Sequence, residues 1–168
     1  MTDDAPAPDQ IAFDRIVSHL DYPMFVVAAG AEGDADACLV GFTSQCSIDP
    51  PRFGVFLSKA NHTYDLAVKS DVLIVHRLRA DQLRVAEHFG GKSAYDDPGK
   101  LEGWRWSPGP GGAPVIDDCD WFSGRVLDRR DAGDHVLFVL EPFAGECHET
   151  SQLGSREAFD IEAGRPAS

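Results

Sequence analysis

The feature that most restricts the fold of this chain is the way its apolar residues are parcelled. From Met24 onward they come in short β-rich runs, MFVVAA, ACLVGF and RFGVFLS, with the turn-forming AEGDAD between the first two. Such runs have the β-branched and aromatic content of strands, and three strands in sequence are the simplest account. Further on, WFSGRVLD and HVLFVLEPF flank RRDAGD, the pattern of a β-hairpin with Gly133 in its turn. The helical signals are fewer. Asp9 can cap a helix carrying Ile11, Ile16, Val17 and Leu20 on one face, expected to cover one end of the β structure. Asn61 can cap a second through HTYDLAVKS, and ADQLRVAEHF spells a third after the strand run VLIV. A mainly β fold with flanking helices is expected.

At 168 residues with 43% apolar content, the chain is expected to form one domain. Residues 1–8 resemble a flexible arm, and those from about 150 to 168, polar and weakly patterned, a tail or a dimer arm. Residues 90–114 carry GGK, DDPGK and SPGPGGAP, which predict a long surface loop. The formal charge of −13 repels a phosphate backbone and an anionic membrane alike, so neither nucleic acid nor membrane is an expected partner. With no signal-peptide pattern and no apolar stretch long enough to span a bilayer, a cytoplasmic location is expected. The same charge means that a phosphorylated ligand needs a locally positive or NH-rich pocket. Cys38, Cys46, Cys119 and Cys147 show no C-x-x-C spacing, and no metal site is expected.

Two polar segments invite a chemical reading. Gly41 to Pro51 packs hydroxyl and amide side chains between an apolar strand and two prolines that forbid further ladder pairing. There Thr43, Ser44, Gln45, Cys46 and Ser47 either satisfy an ordinary connection or meet the hydrogen-bonding edge of a ligand. Ser58, Lys59, Asn61, His62 and Thr63 then stand at a strand-to-helix junction, where free N–H groups and a lysine favour an anion. A capped helix with a solvated lysine is the alternative. Late in the chain, Gly133-Asp134-His135 puts an imidazole at the start of a strand. Trp104, Trp106 and Trp121 are expected to pack, and Arg129-Arg130 to sit in a solvated turn beside Asp128 and Asp131.

In their order these motifs resemble the flavin reductase-like family. The resemblance rests on Ser47-Ile48-Asp49-Pro50-Pro51, on Ser58-Lys59 followed by Thr63, and on Gly133-Asp134-His135. Phe89-Gly90-Gly91, Lys100-Leu101-Glu102-Gly103-Trp104 and Ala113-Pro114-Val115-Ile116 extend it over residues from about 22 to 145. The chain departs from the family pattern at Gln45 and Cys46, at His76-Arg77 before Leu78, and at Lys100-Leu101.

The resemblance implies a six-stranded Greek-key split β-barrel of the FMN-binding type, working as a homodimer. It implies FMN, or FAD, as the flavin and NADH or NADPH as hydride source. Thr43 to Ser47 would face the isoalloxazine ring, Ser58, Lys59, Asn61, His62 and Thr63 would hold phosphate and ribityl chain, and Phe89 and Trp104 would flank the flavin. His135 would lie near the nicotinamide. An NAD(P)H-dependent flavin reductase, supplying a partner monooxygenase, is the function implied. A flavin carrier without turnover and a deazaflavin-dependent oxidoreductase are the alternatives.

Overall fold

The structure, a computed structural model, describes residues 8–31, 33–148, 152–162 and 164. Residues 1–7 of the expected arm lie outside it, as do 149–151, 163 and 165–168 near the C-terminus. Helix α1 (Pro8–Val17) precedes a hairpin of β1 (Phe25–Ala31) and β2 (Asp34–Val40), with Phe25 opposite Val40 and Ala31 opposite Asp34. β3 (Thr43–Ser47) and β4 (Arg52–Ser58) form a second hairpin around the paired prolines, and α2 (His62–Ala67) follows. β5 (Val72–Arg77), α3 (Leu83–Gly91) and the short β6 (Trp106–Pro108) and β7 (Pro114–Ile116) lead to the long hairpin of β8 (Asp120–Asp131) and β9 (His135–Glu146).

Seven strands share one antiparallel sheet in the order β2-β1-β5-β8-β9-β4-β3, and β6 and β7 form a ladder of their own. The expected six strands thus become seven. The extra one is β3: Thr43–Ser47 reads as a polar connection in sequence, yet at the end of the sheet it needs no apolar face to pair with β4. No ladder joins β2 to β3 among the described residues, so the sheet is not closed. It is nonetheless curled, because Val27, Ala29 and Cys38 near one end share a core with Val55, Leu57 and Phe138 near the other. The other face of β1 and β5 buries Val26, Ala28 and Ile74 against Val85 and Phe89 of α3. β1 is covered on both faces, which is why its sequence is a continuous apolar run rather than an alternating one.

Three expectations are corrected. α1 does not cover an end of the sheet, since Ile11, Phe13 and Ile16 are 42%, 58% and 66% exposed and its apolar face stays open. The segment from 90 to 114 is more than a surface loop: Ser93 and Lys100 are buried, and β6 pairs with β7. Gly111 and Gly112 take φ of 74° and 82° in the turn between them, a region glycine enters without strain. Finally, residues 152–162 are not a free tail. Leu153 and Ala158 are buried, Met24 N–H donates to Leu153 O at 3.0 Å, and Leu153 N–H donates to Leu78 O at 2.9 Å, so the segment straps its own chain.

Candidate functional site

Segments far apart in sequence meet where β4 runs alongside the start of β9. Ser58 pairs with His135, and Lys59 N–H donates to Asp134 O at 2.9 Å, so the Ser-Lys and Gly-Asp-His motifs are neighbours. Lys59 Nζ also pairs with Asp131 Oδ2 at 2.5 Å, and His135 Nδ1 lies 2.7 Å from Asp134 Oδ1. These contacts hold both carboxyls below their usual range: the hydrogen bond from Lys59 does so for Asp131, and that with His135 for Asp134. The His135 ring also packs on Phe42, centroids 5.3 Å apart. Gly133, with φ of 103°, makes the turn that returns the chain to this place.

Alongside β4, the edge strand β3 presents Ser44, Gln45 and Cys46 to solvent. Its register on β4 slips between Gln45 and Ser47, a bulge that re-aims the intervening side chain. No strand pairs with its outer side among the described residues, although the Ser44 hydroxyl already donates to Gln45 O at 3.1 Å and the Gln45 side-chain amide to Ser47 O at 3.3 Å. The Thr43 hydroxyl is buried and has no hydrogen-bond partner among the described residues. An orphaned buried hydroxyl is uncommon in a folded chain and marks a place where a bound group would complete the hydrogen bonding.

Residues 58–63 form the second polar wall. Ala60 N–H donates to Ser58 Oγ at 3.3 Å and Asn61 N–H to Ser58 O at 3.0 Å, which bends the chain tightly. Asn61 occupies the N-cap position of α2 without making a side-chain cap. Thr63 corrects the expectation placed on it: it has 0% exposure, and its hydroxyl donates to Asp36 Oδ2 at 2.8 Å, so it props the wall from behind. His62 Nδ1 reaches the same oxygen at 3.3 Å.

Asp36, itself buried, faces Lys100 Nζ at 3.4 Å. In the sequence, Asp36 carries no such signal and Lys100 stands out only as part of the family resemblance. Asp36 lies in a stretch that resembles a turn, and only its spacing with Cys38 and Val40 on one face of β2 signals that it points inward. Cys38 shares this interior, and burial pushes its thiol up to about 11.

Phe89 and Trp104 are not brought to β3. Phe89, 2% exposed, belongs to the core on the other face of β1, with its ring 5.7 Å from Trp104. The expectation that Phe89 flanks a flavin is therefore corrected, because no ring can stack on it. Trp104 rests on His88 at 5.2 Å. Arg129 donates to Ser70 O at 2.8 Å, and Arg130 pairs with Asp128 at 2.9 Å. The clefts lie elsewhere: one of about 550 Å³ is lined by Phe25, Trp121, Phe122 and Phe143, and one of about 800 Å³ runs between Trp104 and His148. Neither of these two clefts is lined by residues 43–47 or 58–63.

A family model described as the flavin reductase like domain matches residues 17–158. The chain belongs to the flavin reductase-like family. Among curated members, it is 30% identical over 140 residues to the FMN reductase (NADH) RutF of Pseudomonas syringae pv. syringae, covering 80% of this chain and 75% of that relative. Among solved structures, it resembles BorF, the flavin reductase component of a bacterial two-component tryptophan halogenase. There the TM-score is 0.74 and the identity 25%, over 89% of this chain and 95% of that one. The nitrilotriacetate monooxygenase component B homologue of Mycobacterium thermoresistibile shares the fold, with a TM-score of 0.72 and 24% identity over 84% of this chain and 78% of that one. The matched part runs from the last residue of α1 into the strap. Among the described residues, no helix is long and apolar enough to cross a membrane.

Proposed function

We propose that this single-domain chain is an NAD(P)H-dependent flavin reductase that passes hydride from NADH or NADPH to FMN or FAD and supplies a partner oxygenase. The observation that carries this reading is the meeting of Ser58-Lys59 with Gly133-Asp134-His135 beside a polar edge strand in a member of this family. A relative named FMN reductase (NADH) supports FMN and NADH, and the similarity to the reductase component of a halogenase supports the oxygenase partner. The curled, open sheet is read as the split barrel.

The residues present fit a flavin. The free edge of β3, the exposed Ser44 and Gln45, and the unpartnered Thr43 hydroxyl supply the alternating donors and acceptors that a ring with imide and ring nitrogens requires. Thr43, Ser44, Gln45, Cys46 and Ser47 would hold the ring edge, and Ser58, Lys59, Asn61 and His62 the ribityl chain and phosphate. A bound flavin would supply the hydride acceptor. His135, oriented by Asp134, positions the nicotinamide. No residue here needs to act as a strong acid or base; the protein's task is to bind, align and exclude water. With Ser44, Gln45 and Cys46 open to solvent, the need to exclude water favours a homodimer in which a second copy covers Phe42 and Ile48, 49% and 84% exposed.

The test is Lys59→Ala. FMN affinity, read by quenching of flavin fluorescence, is expected to fall about fivefold or less, since phosphate gains only the difference between its contact to Lys59 and the Asp131 contact it displaces, while the melting temperature of the flavin-free protein holds. Equal FMN affinity in the variant refutes the phosphate assignment. Anaerobic bleaching of the flavin band by NADH or NADPH tests turnover, and a tightly bound flavin that neither nucleotide bleaches would make the chain a carrier.

A further inference from the structure

Asp36 and Lys100 pose an energetic puzzle. Their side chains are 2% and 3% exposed, and removing such ions from water is costly. At 3.4 Å the pair is Coulombic, and Asp36 Oδ1 accepts no hydrogen bond among the described residues. A contact of that quality is a poor source of stability, so something else accounts for the buried charge. The other oxygen shows what. Asp36 Oδ2 takes the Thr63 hydroxyl at 2.8 Å and His62 Nδ1 at 3.3 Å, gripping two consecutive residues just beyond Lys59.

We propose that Asp36 and Lys100 are positioning residues for the phosphate end of the flavin and act through His62; this rests on the flavin reading above. With Nδ1 turned to Asp36, the ring geometry directs Nε2 the opposite way, and no described residue bonds it. Tyr95 packs edge-on against the ring, centroids 5.1 Å apart, and its hydroxyl is tied to Asp65, which fixes the ring plane. His62 is one-quarter exposed, so its free nitrogen can reach a ligand. A group that holds one ring nitrogen of a histidine, here a carboxylate, sets ring orientation and which nitrogen is left for a ligand. Lys100 makes the buried carboxylate tolerable. It arrives from the other face of β1, where its Nζ stands 5.8 Å from the Phe89 ring and its carbonyl 2.6 Å from His88 Nε2. The second core thereby sets the geometry of the platform.

The experiment compares FMN with riboflavin, which carries the ring and ribityl chain but no phosphate. In Asp36→Leu/Lys100→Met both charges leave together, so no unpaired ion is left buried and His62 loses its anchor; the melting temperature is expected to fall only by what the stranded Thr63 hydroxyl costs. FMN affinity is expected to fall about tenfold and riboflavin affinity to stay within about twofold. Asp36→Asn/Lys100→Met restores an acceptor for His62 and is expected to recover most of the FMN affinity. His62→Ala should reproduce the FMN-selective loss, and it tests the proposal whether or not the double variants fold. Equal weakening of both ligands in Asp36→Leu/Lys100→Met, or unchanged FMN affinity in His62→Ala, overturns the proposal. Lys59→Ala separates the two levels: if it alone weakens FMN selectively, the flavin reading stands and the positioning role falls. If no variant distinguishes FMN from riboflavin, both fall.

Discussion

His76 makes this protein acid-sensitive through a single buried ring. It sits on β5 with 0% exposure, Nδ1 at 2.9 Å from Val26 O, and Nε2 accepts the Ile116 N–H at 3.0 Å. A nitrogen that accepts an N–H carries no proton, so the ring is neutral with its hydrogen on Nδ1, bridging β1 and β7. Protonation would place an N–H against the N–H of Ile116 and a cation in the core. Burial accordingly pushes the histidine down to about 4, the bond to Val26 only partly offsetting it. The depressed value means that the unfolded chain takes up the proton first. The neutral ring favours folding fully above the unfolded value of 6.5, and this stability drains away as pH falls from 6.5 toward 4.

The whole span is worth roughly 3 kcal/mol, and the part lost between pH 7 and pH 5 about 2 kcal/mol. Urea unfolding at those two pH values reads the loss, and His76→Gln, with nothing to titrate there, isolates it from the other histidines. The variant is expected to be less stable at pH 7 but to show a fall with pH shallower by about 2 kcal/mol. Parallel falls in the two proteins, or a His76 Hε1 proton resonance that titrates near pH 6.5, would refute the assignment.

Three further outcomes follow from the structure. Cys46 and Cys147 are exposed, whereas Cys38 and Cys119 are buried, their thiols both pushed up to about 11 by burial. Ellman's reagent is thus expected to titrate two thiols quickly in the native protein and the other two only in denaturant. A Cβ on Gly30, whose φ is 88°, would stand 2.1 Å from Asp34 O, whereas Gly133 has φ of 103° with nothing within 4 Å. Gly30→Ala is expected to lower stability by more than about 2 kcal/mol and Gly133→Ala by about 1 kcal/mol, read by urea denaturation. Asp131→Asn frees Lys59 from its 2.5 Å contact and should tighten FMN binding severalfold at low salt, with the gain fading as salt rises. No gain at low salt would mean that Lys59 does not face the phosphate.

How much of this was legible depended on whether the cause was local. β1, β4, β5, β8 and β9 announce themselves because their own side chains build the cores, and Gly133 marks its hairpin because the turn demands a positive φ. β3 was read as a connection because an edge strand with solvent on one side carries no apolar signature, although its residues were singled out for their chemistry. Ser58-Lys59 and Gly133-Asp134-His135 were named separately; their meeting follows from the β4–β9 register, which no local pattern encodes. The inward turn of Asp36 depends on a lysine from a distant loop, and the role of Thr63 changes with it. Phe89 is misplaced for a related reason: an aromatic in the last turn of a helix is equally fit for a ligand face and a core, and here the core won.

The balance of charge on the platform bears on how such a chain would use a flavin. A protein with a net charge of −13 that binds a phosphate must hold its local cations against its own carboxylates. Each lysine here already has an acidic neighbour, Asp131 for Lys59 and Asp36 for Lys100, and the rings of His135 and His62 lie against Asp134 and Asp36. A phosphate arriving at Lys59 therefore gains only the difference between its own contact and the one it displaces, and in exposed surroundings that difference is small. Weak, exchangeable binding is the consequence. For a resident prosthetic group it would be a defect; for a flavin that is reduced and then released to a second enzyme, it lets the product leave. The buried Asp36–Lys100 pair fits the same economy, since it fixes where His62 stands without adding an exposed positive charge that would retain the reduced flavin.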